Sequence, residues 1–220
     1  MFDKRITLFC GHYGSGKTNI AVNVAVNLSQ TNKNIALADL DIVNPYFRTK
    51  DSSKQLSEKG IRLICSEYAN SNVDIPALPQ DIYAITDDKT LKCVVDIGGD
   101  DRGAFVLGRI SEKIVSENDY DMLMVINSYR PLTRDTESTL EVLREIETAA
   151  KIKFTGLINN SNLGEETTKE DVISSFSYAQ EISKASGLDI VATTVKEELF
   201  ESLKNEIENL FPLRLQDKIL

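Results

Sequence analysis

Between an apolar pentapeptide, Ile6–Cys10, and a long helical run lies the pattern Gly11-His12-Tyr13-Gly14-Ser15-Gly16-Lys17-Thr18. The run Lys17–Ser29 sets Ile20, Val24 and Leu28 in one apolar row, which Ala21, Ala25, Val22 and Val26 widen. Its polar stripe is Asn19, Asn23 and Asn27, read as a solvated face. A helix this apolar has to lie against a sheet, nearly enclosed. A buried strand feeding such a helix through a glycine-rich turn is the first half of a β-α-β unit. That junction restricts the chain to a layered fold with parallel strands.

The remaining sequence continues the alternation. Strands are expected at Ile6–Cys10, Ile35–Leu40, Ile61–Cys65, Lys92–Ile97, Met122–Asn127, Phe154–Asn159 and Asp189–Val195. Helices are expected at Lys17–Ser29, Gln80–Ile85, Ala104–Ser116, Thr133–Ala149, Glu170–Ala185 and Glu197–Leu210. The expected fold is α/β: a mainly parallel sheet of about seven strands with helices on both faces, a three-layer sandwich. Residues 1–220 read as one domain, since no linker, repeat or low-complexity stretch divides them. Glu67–Pro79 holds two of the five prolines and reads as a surface loop.

Composition excludes several classes. A net charge of −9 argues against a nucleic-acid partner, because a phosphate backbone requires a basic face. Cys10, Cys65 and Cys93 sit in apolar strand-like runs with no C-x-x-C spacing, so buried reduced thiols are expected. No apolar run approaches the roughly 20 residues of a membrane span, and no signal-peptide core follows Met1, so a cytoplasmic location is expected. In the final helical run Leu199, Phe200, Leu203, Ile207, Leu210 and Phe211 share a face opposite Glu197, Glu198, Glu201, Glu206 and Glu208. A membrane-surface helix favours a basic polar face, so this one is expected to pack on its own core.

The residues of the glycine-rich turn have a chemistry of their own. They fit G-x-x-x-x-G-K-[ST] in full and in its strand-to-helix context. Glycines let successive N–H groups of residues 11–19 curl inward as an anion nest. The helix beginning at Lys17 adds unsatisfied N-terminal donors and the positive end of its dipole. Lys17 would reach the β- and γ-phosphates of a bound nucleotide, and the Thr18 hydroxyl would ligate magnesium. A turn that merely joined strand to helix would not need Gly16-Lys17-Thr18 in that order.

Three further strand ends carry polar segments. They are Asp39-Leu40-Asp41, Asp96-Ile97-Gly98-Gly99-Asp100-Asp101-Arg102-Gly103, and Gly156-Leu157-Ile158-Asn159-Asn160-Ser161. In an open parallel sheet the carboxyl ends of strands border the ligand crevice, so these segments can converge on the nucleotide. A carboxylate there is useful only with a cation between it and the polyphosphate.

With that spacing, the chain resembles the MinD/ParA/Mrp and nitrogenase iron-protein branch of the P-loop NTPases, from Ile6 to about Val195. The resemblance implies that Asp41 positions or activates the attacking water and contributes to the magnesium site. It implies that Asp96 holds magnesium through water and that Gly99 offers its N–H to the γ-phosphate, with Asp100 in a switch turn. It implies that Asn160 reads adenine, making ATP and Mg2+ the expected cofactors, and that a nucleotide-dependent homodimer or protein partner is involved.

Two features depart from the family. The lysine that usually follows the first glycine of the loop is replaced by His12, the single histidine of the chain. His12 can supply a weaker, pH-dependent cation or pack locally, and Arg48 or Arg102 could substitute as the cation. Where the iron protein carries a cluster cysteine this chain has Gly103, so an iron–sulfur role is not expected. In Tyr129-Arg130-Pro131-Leu132-Thr133, Thr133 is expected to cap a helix, and a partner-binding use of Arg130 and Arg134 stays open.

Three functions remain open at the level of sequence. An ATPase switch would use Lys17, Thr18, Asp41, Asp96 and Gly99. A BioD/CobB-like ligase or kinase would add a small-molecule pocket near Asn44, Tyr46, Arg48 and Arg102. A non-hydrolysing ATP sensor would act through a protein partner.

Overall fold

The computed structural model describes residues 1–41, 53–65, 80–99 and 101–215. Its strands are β1 (Ile6–Cys10), β2 (Ile35–Leu40), β3 (Arg62–Cys65), β4 (Lys92–Ile97), β5 (Tyr120–Ile126), β6 (Gly156–Asn159), β7 (Ile190–Lys196) and β8 (Leu210–Leu213). They form one parallel sheet in the order β3-β2-β4-β1-β5-β6-β7-β8. Where about seven strands were expected, the described residues form eight. The helices are α1 (Lys17–Ser29), α2 (Ser53–Glu58), α3 (Ala84–Asp87), α4 (Asp101–Leu107), α5 (Ser111–Glu117), α6 (Thr136–Ala150), α7 (Lys169–Ser186) and α8 (Glu197–Leu203).

Strand pleating divides the core between the two faces. Ile6, Leu8 and Cys10 of β1 belong to the apolar layer that includes Leu107, Ile114, Leu143 and Ile182, from α4, α5, α6 and α7. Phe9 points the other way, into the layer formed with Ile20, Val24 and Leu28 of α1 and Leu56 of α2. From β1 the chain runs outward to β2 and β3, returns to β4, then crosses β1 to β5. That reversal opens a crevice at the carboxyl ends of the central strands.

The last helical run departs most from expectation. α8 stops at Leu203, and Asn209, at φ 54°, turns the chain into β8. Leu203 and Ile207 still pack against Val172 and Val195, so their helical spacing survives through a turn rather than a longer helix. Pro212 is tolerated because β8 is an edge strand. Phe211 meets Phe2 edge-to-face at 5.5 Å. Asn23 then holds the exit of β8: its Nδ2 donates to the Arg214 carbonyl at 3.0 Å and its Oδ1 accepts from the Arg214 N–H at 2.9 Å. One member of the expected solvated asparagine stripe is thus a structural clamp.

Other differences are local. The run expected as one helix from Ala104 breaks at residues 108–110 into α4 and α5. α6 begins at Thr136 with Asp135 as its N-cap, accepting from Ser138 N–H, while Thr133 is buried and donates to the Asn127 carbonyl at 2.9 Å. α2 was not anticipated. The segment Glu67–Pro79 lies outside the described residues. Among the described residues no helix is long and apolar enough to cross a membrane. Cys10 and Cys93 are buried free thiols and Cys65 is half-buried.

Candidate functional site

The glycine-rich loop leaves β1 at the centre of the sheet and enters α1 at its mouth. Gly11, Gly14 and Gly16 all have positive φ, at 144°, 75° and 93°. An added Cβ would stand 2.5 Å from the Val125 carbonyl oxygen at Gly11 and 2.2 Å from Asn160 Nδ2 at Gly16. The loop is closed internally by Ser15 N–H donating to the His12 carbonyl at 3.2 Å. Lys17 is buried in spite of its charge and its ammonium donates to the same carbonyl at 3.3 Å. Its head therefore lies across the loop, where the nest would bind an anion.

β4 brings the acidic counterpart. Asp96 is fully buried, and Thr18 Oγ1 donates to its Oδ2 at 2.6 Å. Its other oxygen, Oδ1, has no hydrogen-bond partner among the described residues. Asp39 is its register partner on β2. Burial first, and then the neighbouring Asp39 carboxylate, push the Asp96 carboxyl well above the usual carboxylate range; Lys17 and the Thr18 hydroxyl oppose the shift. A buried carboxylate with an orphaned oxygen beside a threonine hydroxyl fits a divalent cation. Hard oxygen donors are the ligands Mg2+ prefers, and the ion's charge would favour the ionised form of Asp96.

Asp41 closes β2, half-buried, with its N–H on Asp39 Oδ1 at 3.0 Å. A Cβ on Gly98 would be 3.3 Å from Asp41 Oδ1, so the ends of β2 and β4 lie side by side. Gly99 approaches the loop more closely still: a Cβ there would be 2.5 Å from the Tyr13 nitrogen and 2.9 Å from the His12 carbonyl carbon. Glycine at 99 is thus a steric requirement for bringing the β4 turn onto the phosphate loop.

Asn160, at the end of β6, is 3% exposed. Its Nδ2 donates to the Ser15 carbonyl at 2.6 Å, while its Oδ1 accepts from Thr194 Oγ1 and, at 2.9 Å, from Asn162 Nδ2. The amide is a strut between the loop and β7. Asn19 is half-buried on the first turn of α1, where its carbonyl accepts from Asn23 Nδ2 at 2.8 Å. His12 is half-buried with Nδ1 3.2 Å from the Tyr13 carbonyl, and Tyr13 is 54% exposed. Burial drives the Cys10 thiol far above its ordinary value, which leaves it unreactive beneath the loop.

Sequence reasoning missed two neighbours of the loop. Arg130 Nε donates to the Gly14 carbonyl at 2.8 Å, an approach that follows from β5 lying beside β1. Thr194 orients the Asn160 amide from β7, for which no local sequence signal exists. Arg102 stands on α4, whereas Asn44, Tyr46, Arg48 and Asp100 lie outside the described residues.

A parallel sheet with a Gly-Lys-Thr loop at the end of its central strand, and a buried strand-end aspartate on the threonine, defines a P-loop NTPase-type nucleotide-binding fold. Residues 6–185 match the CobQ/CobB/MinD/ParA nucleotide binding domain. The chain belongs to that family. No curated protein matches the sequence. Solved structures with a similar fold include FtsY from Mycoplasma mycoides, with 17% identity and a TM-score of 0.53 over 87% of this chain and 60% of that one. The cell division protein FtsY from Thermotoga maritima gives 20% identity and a TM-score of 0.57 over 96% of this chain and 65% of that one. The 54 kDa signal recognition particle protein from Aeropyrum pernix, crystallised with GDP, gives 14% identity and a TM-score of 0.52 over 86% and 40%. This chain therefore spans less than two thirds of each of these relatives.

Proposed function

We propose that the protein is a magnesium-dependent nucleoside triphosphatase that works as a switch, with ATP as its nucleotide. The observation that carries this is the Thr18–Asp96 pair: a threonine of the loop hydrogen-bonded to a buried carboxylate whose second oxygen has no partner among the described residues. Lys17 would leave the His12 carbonyl for the β- and γ-phosphates, and inward N–H groups of the loop from Gly11 to Asn19 would hold the remaining phosphate oxygens. Thr18, Asp41 and Asp96 would hold Mg2+, which when bound neutralises charge on the phosphates.

Asp41 would orient a water whose oxygen attacks the γ-phosphorus. The bond from that phosphorus to the β–γ bridging oxygen breaks, the electron pair stays on the diphosphate, and both hydrogens of the water leave on inorganic phosphate as dihydrogen phosphate. Gly99 would offer its N–H to the γ-phosphate, coupling the turn after β4 to nucleotide state. Asn160 would present the second hydrogen of its amide to the base. That donor suits N7 of either purine, so the GDP of the Aeropyrum relative makes GTP the competing nucleotide.

Tyr13, Tyr129 and Leu132 are 54%, 36% and 51% exposed around the loop, which supports a homodimer or protein partner that reads the nucleotide state. The test is phosphate release with Mg-ATP and Mg-GTP by the wild type and Asp41→Asn. We expect turnover by the wild type, preference for ATP, and at least a tenfold fall in turnover at saturating nucleotide for Asp41→Asn. Binding without turnover under any condition would favour a sensor, and turnover unaltered in Asp41→Asn would remove the role given to that residue.

A further inference from the structure

Resting on the nucleotide site just described, we propose that Arg130 is a catalytic cation acting within its own chain, anchored on the phosphate loop and directed at the phosphates bound there. Arg130 sits in the β5–α6 connection, half-buried, and spends one of its five N–H groups on the Gly14 carbonyl. Its side chain lies over Gly14: a Cβ at that position would be 3.4 Å from Nε, 3.6 Å from Cδ and 3.7 Å from Cζ. These are ordinary contact distances, so the arginine lies against the loop, while glycine at 14 is favoured by its φ of 75°.

Among the described residues the rest of the guanidinium has no counterion. Its two terminal nitrogens carry four N–H groups with no hydrogen-bond or ion-pair partner among the described residues. Arg134, four residues on, is instead a 74% exposed side chain paired with Asp135. A half-buried guanidinium held to a loop by Nε alone, beside a nest that gathers anions, is matched to an anionic ligand at that nest.

The position is fixed by backbone. Arg130 N–H donates to the Asn127 carbonyl at 3.1 Å, its own carbonyl accepts from Thr133 N–H at 3.1 Å, and Pro131 follows it. Tyr129 N–H and Ser128 N–H are tied to Asn127 Oδ1 and Ser161 Oγ at 3.0 and 3.1 Å. The side chain thus needs no ordering by a partner to reach the loop. The bond being broken is the one already written, between the γ-phosphorus and the bridging oxygen. Arg130 would neutralise the charge that builds on those oxygens as the bond lengthens.

The experiment compares wild type, Arg130→Ala and Arg130→Lys for affinity to Mg-ADP alone and to Mg-ADP with fluoroaluminate, a mimic of the transferring phosphoryl group, alongside turnover and thermal melting. We expect Arg130→Ala to lose at least 100-fold of affinity for the fluoroaluminate complex, and a similar factor in turnover, with Mg-ADP affinity changed less than about fivefold. Arg130→Lys should recover little, because a lysine cannot both bond the Gly14 carbonyl and present a second planar donor pair.

Mixing Arg130→Ala with Lys17→Ala separates action within the chain from action on a neighbour. Within the chain, the mixture stays inactive; restored turnover would show Arg130 serving a partner's nucleotide and overturn the proposal. Equal losses for Mg-ADP and its fluoroaluminate complex, or a lowered melting temperature with unchanged discrimination, would reduce Arg130 to a structural prop. If the wild type bound neither Mg-ADP nor Mg-GDP, the site itself would be wrong, an outcome distinct from failure of the arginine alone.

Discussion

At the residue scale, the site depends on positions where a single added carbon is excluded. Gly99 is the clearest, because the group it would strike is backbone of the phosphate loop and cannot swing aside. Gly99→Ala should weaken nucleotide binding at least tenfold and cost about 1–3 kcal/mol of stability, measurable by titration calorimetry and chemical denaturation. An alanine that bound nucleotide normally would show that the β4 turn does not seat on the loop as described. The residues that form this junction were readable in the sequence, because Gly11–Thr18 follow, and Asp96–Gly99 end and follow, strands whose apolar runs mark them out. The contacts of Arg130 and Thr194 were not, since each depends on which strands become neighbours. His12 is a milder case: its sequence position invited a nucleotide role, and its recorded contact is to the carbonyl of the next residue.

At the scale of elements, Arg5 shows how the start of the central strand is pinned. Its guanidinium pairs with Glu117 at the end of α5 and donates to the carbonyls of Ile85, Asp88 and Leu91 at 3.0, 3.3 and 2.9 Å. Both side chains are largely shielded, at 9% and 14% exposure. The Arg5 hydrogen bond, assisted by Lys89, lowers the Glu117 carboxyl from 4.5 to about 2. A carboxylate whose pKa is depressed by folding stabilises fully above its unfolded value and loses that contribution as pH falls through its folded value. Glu117→Gln should therefore lower stability by about 1–3 kcal/mol at neutral pH, with the difference from wild type shrinking between about pH 4.5 and pH 2. Denaturant melts across that range check it, and a difference independent of pH would contradict the ion pair. Element type was legible wherever apolar periodicity was strong, as in β1, α1, β4 and α7. It failed at Leu210–Leu213, because Leu203, Ile207 and Leu210 have the spacing of one helix although the chain turns between them.

On the scale of the whole molecule, strand order turns separate sequence segments into one site. β1 lies between β4 and β5, so the loop after β1 meets Asp96 and Gly99 on one flank and Arg130 on the other, while β6 contributes Asn160. The α/β architecture could be inferred from alternation alone, but the order of the strands could not, and the eighth strand was hidden in a helical pattern. What the order achieves is electrostatic. A chain of net charge −9 gathers Lys17 and Arg130 at one loop and sets its buried carboxylate beside a hydroxyl suited to share a cation. The most direct measurement of this account is calorimetric titration of Mg-ATP into the wild type and Lys17→Ala, with and without magnesium. The account predicts saturable one-site binding by the wild type, weakened at least 100-fold in Lys17→Ala and reduced when magnesium is withheld. Equal affinity in the two proteins would contradict it, and would mean that the loop of Gly11–Thr18 is not where the nucleotide binds.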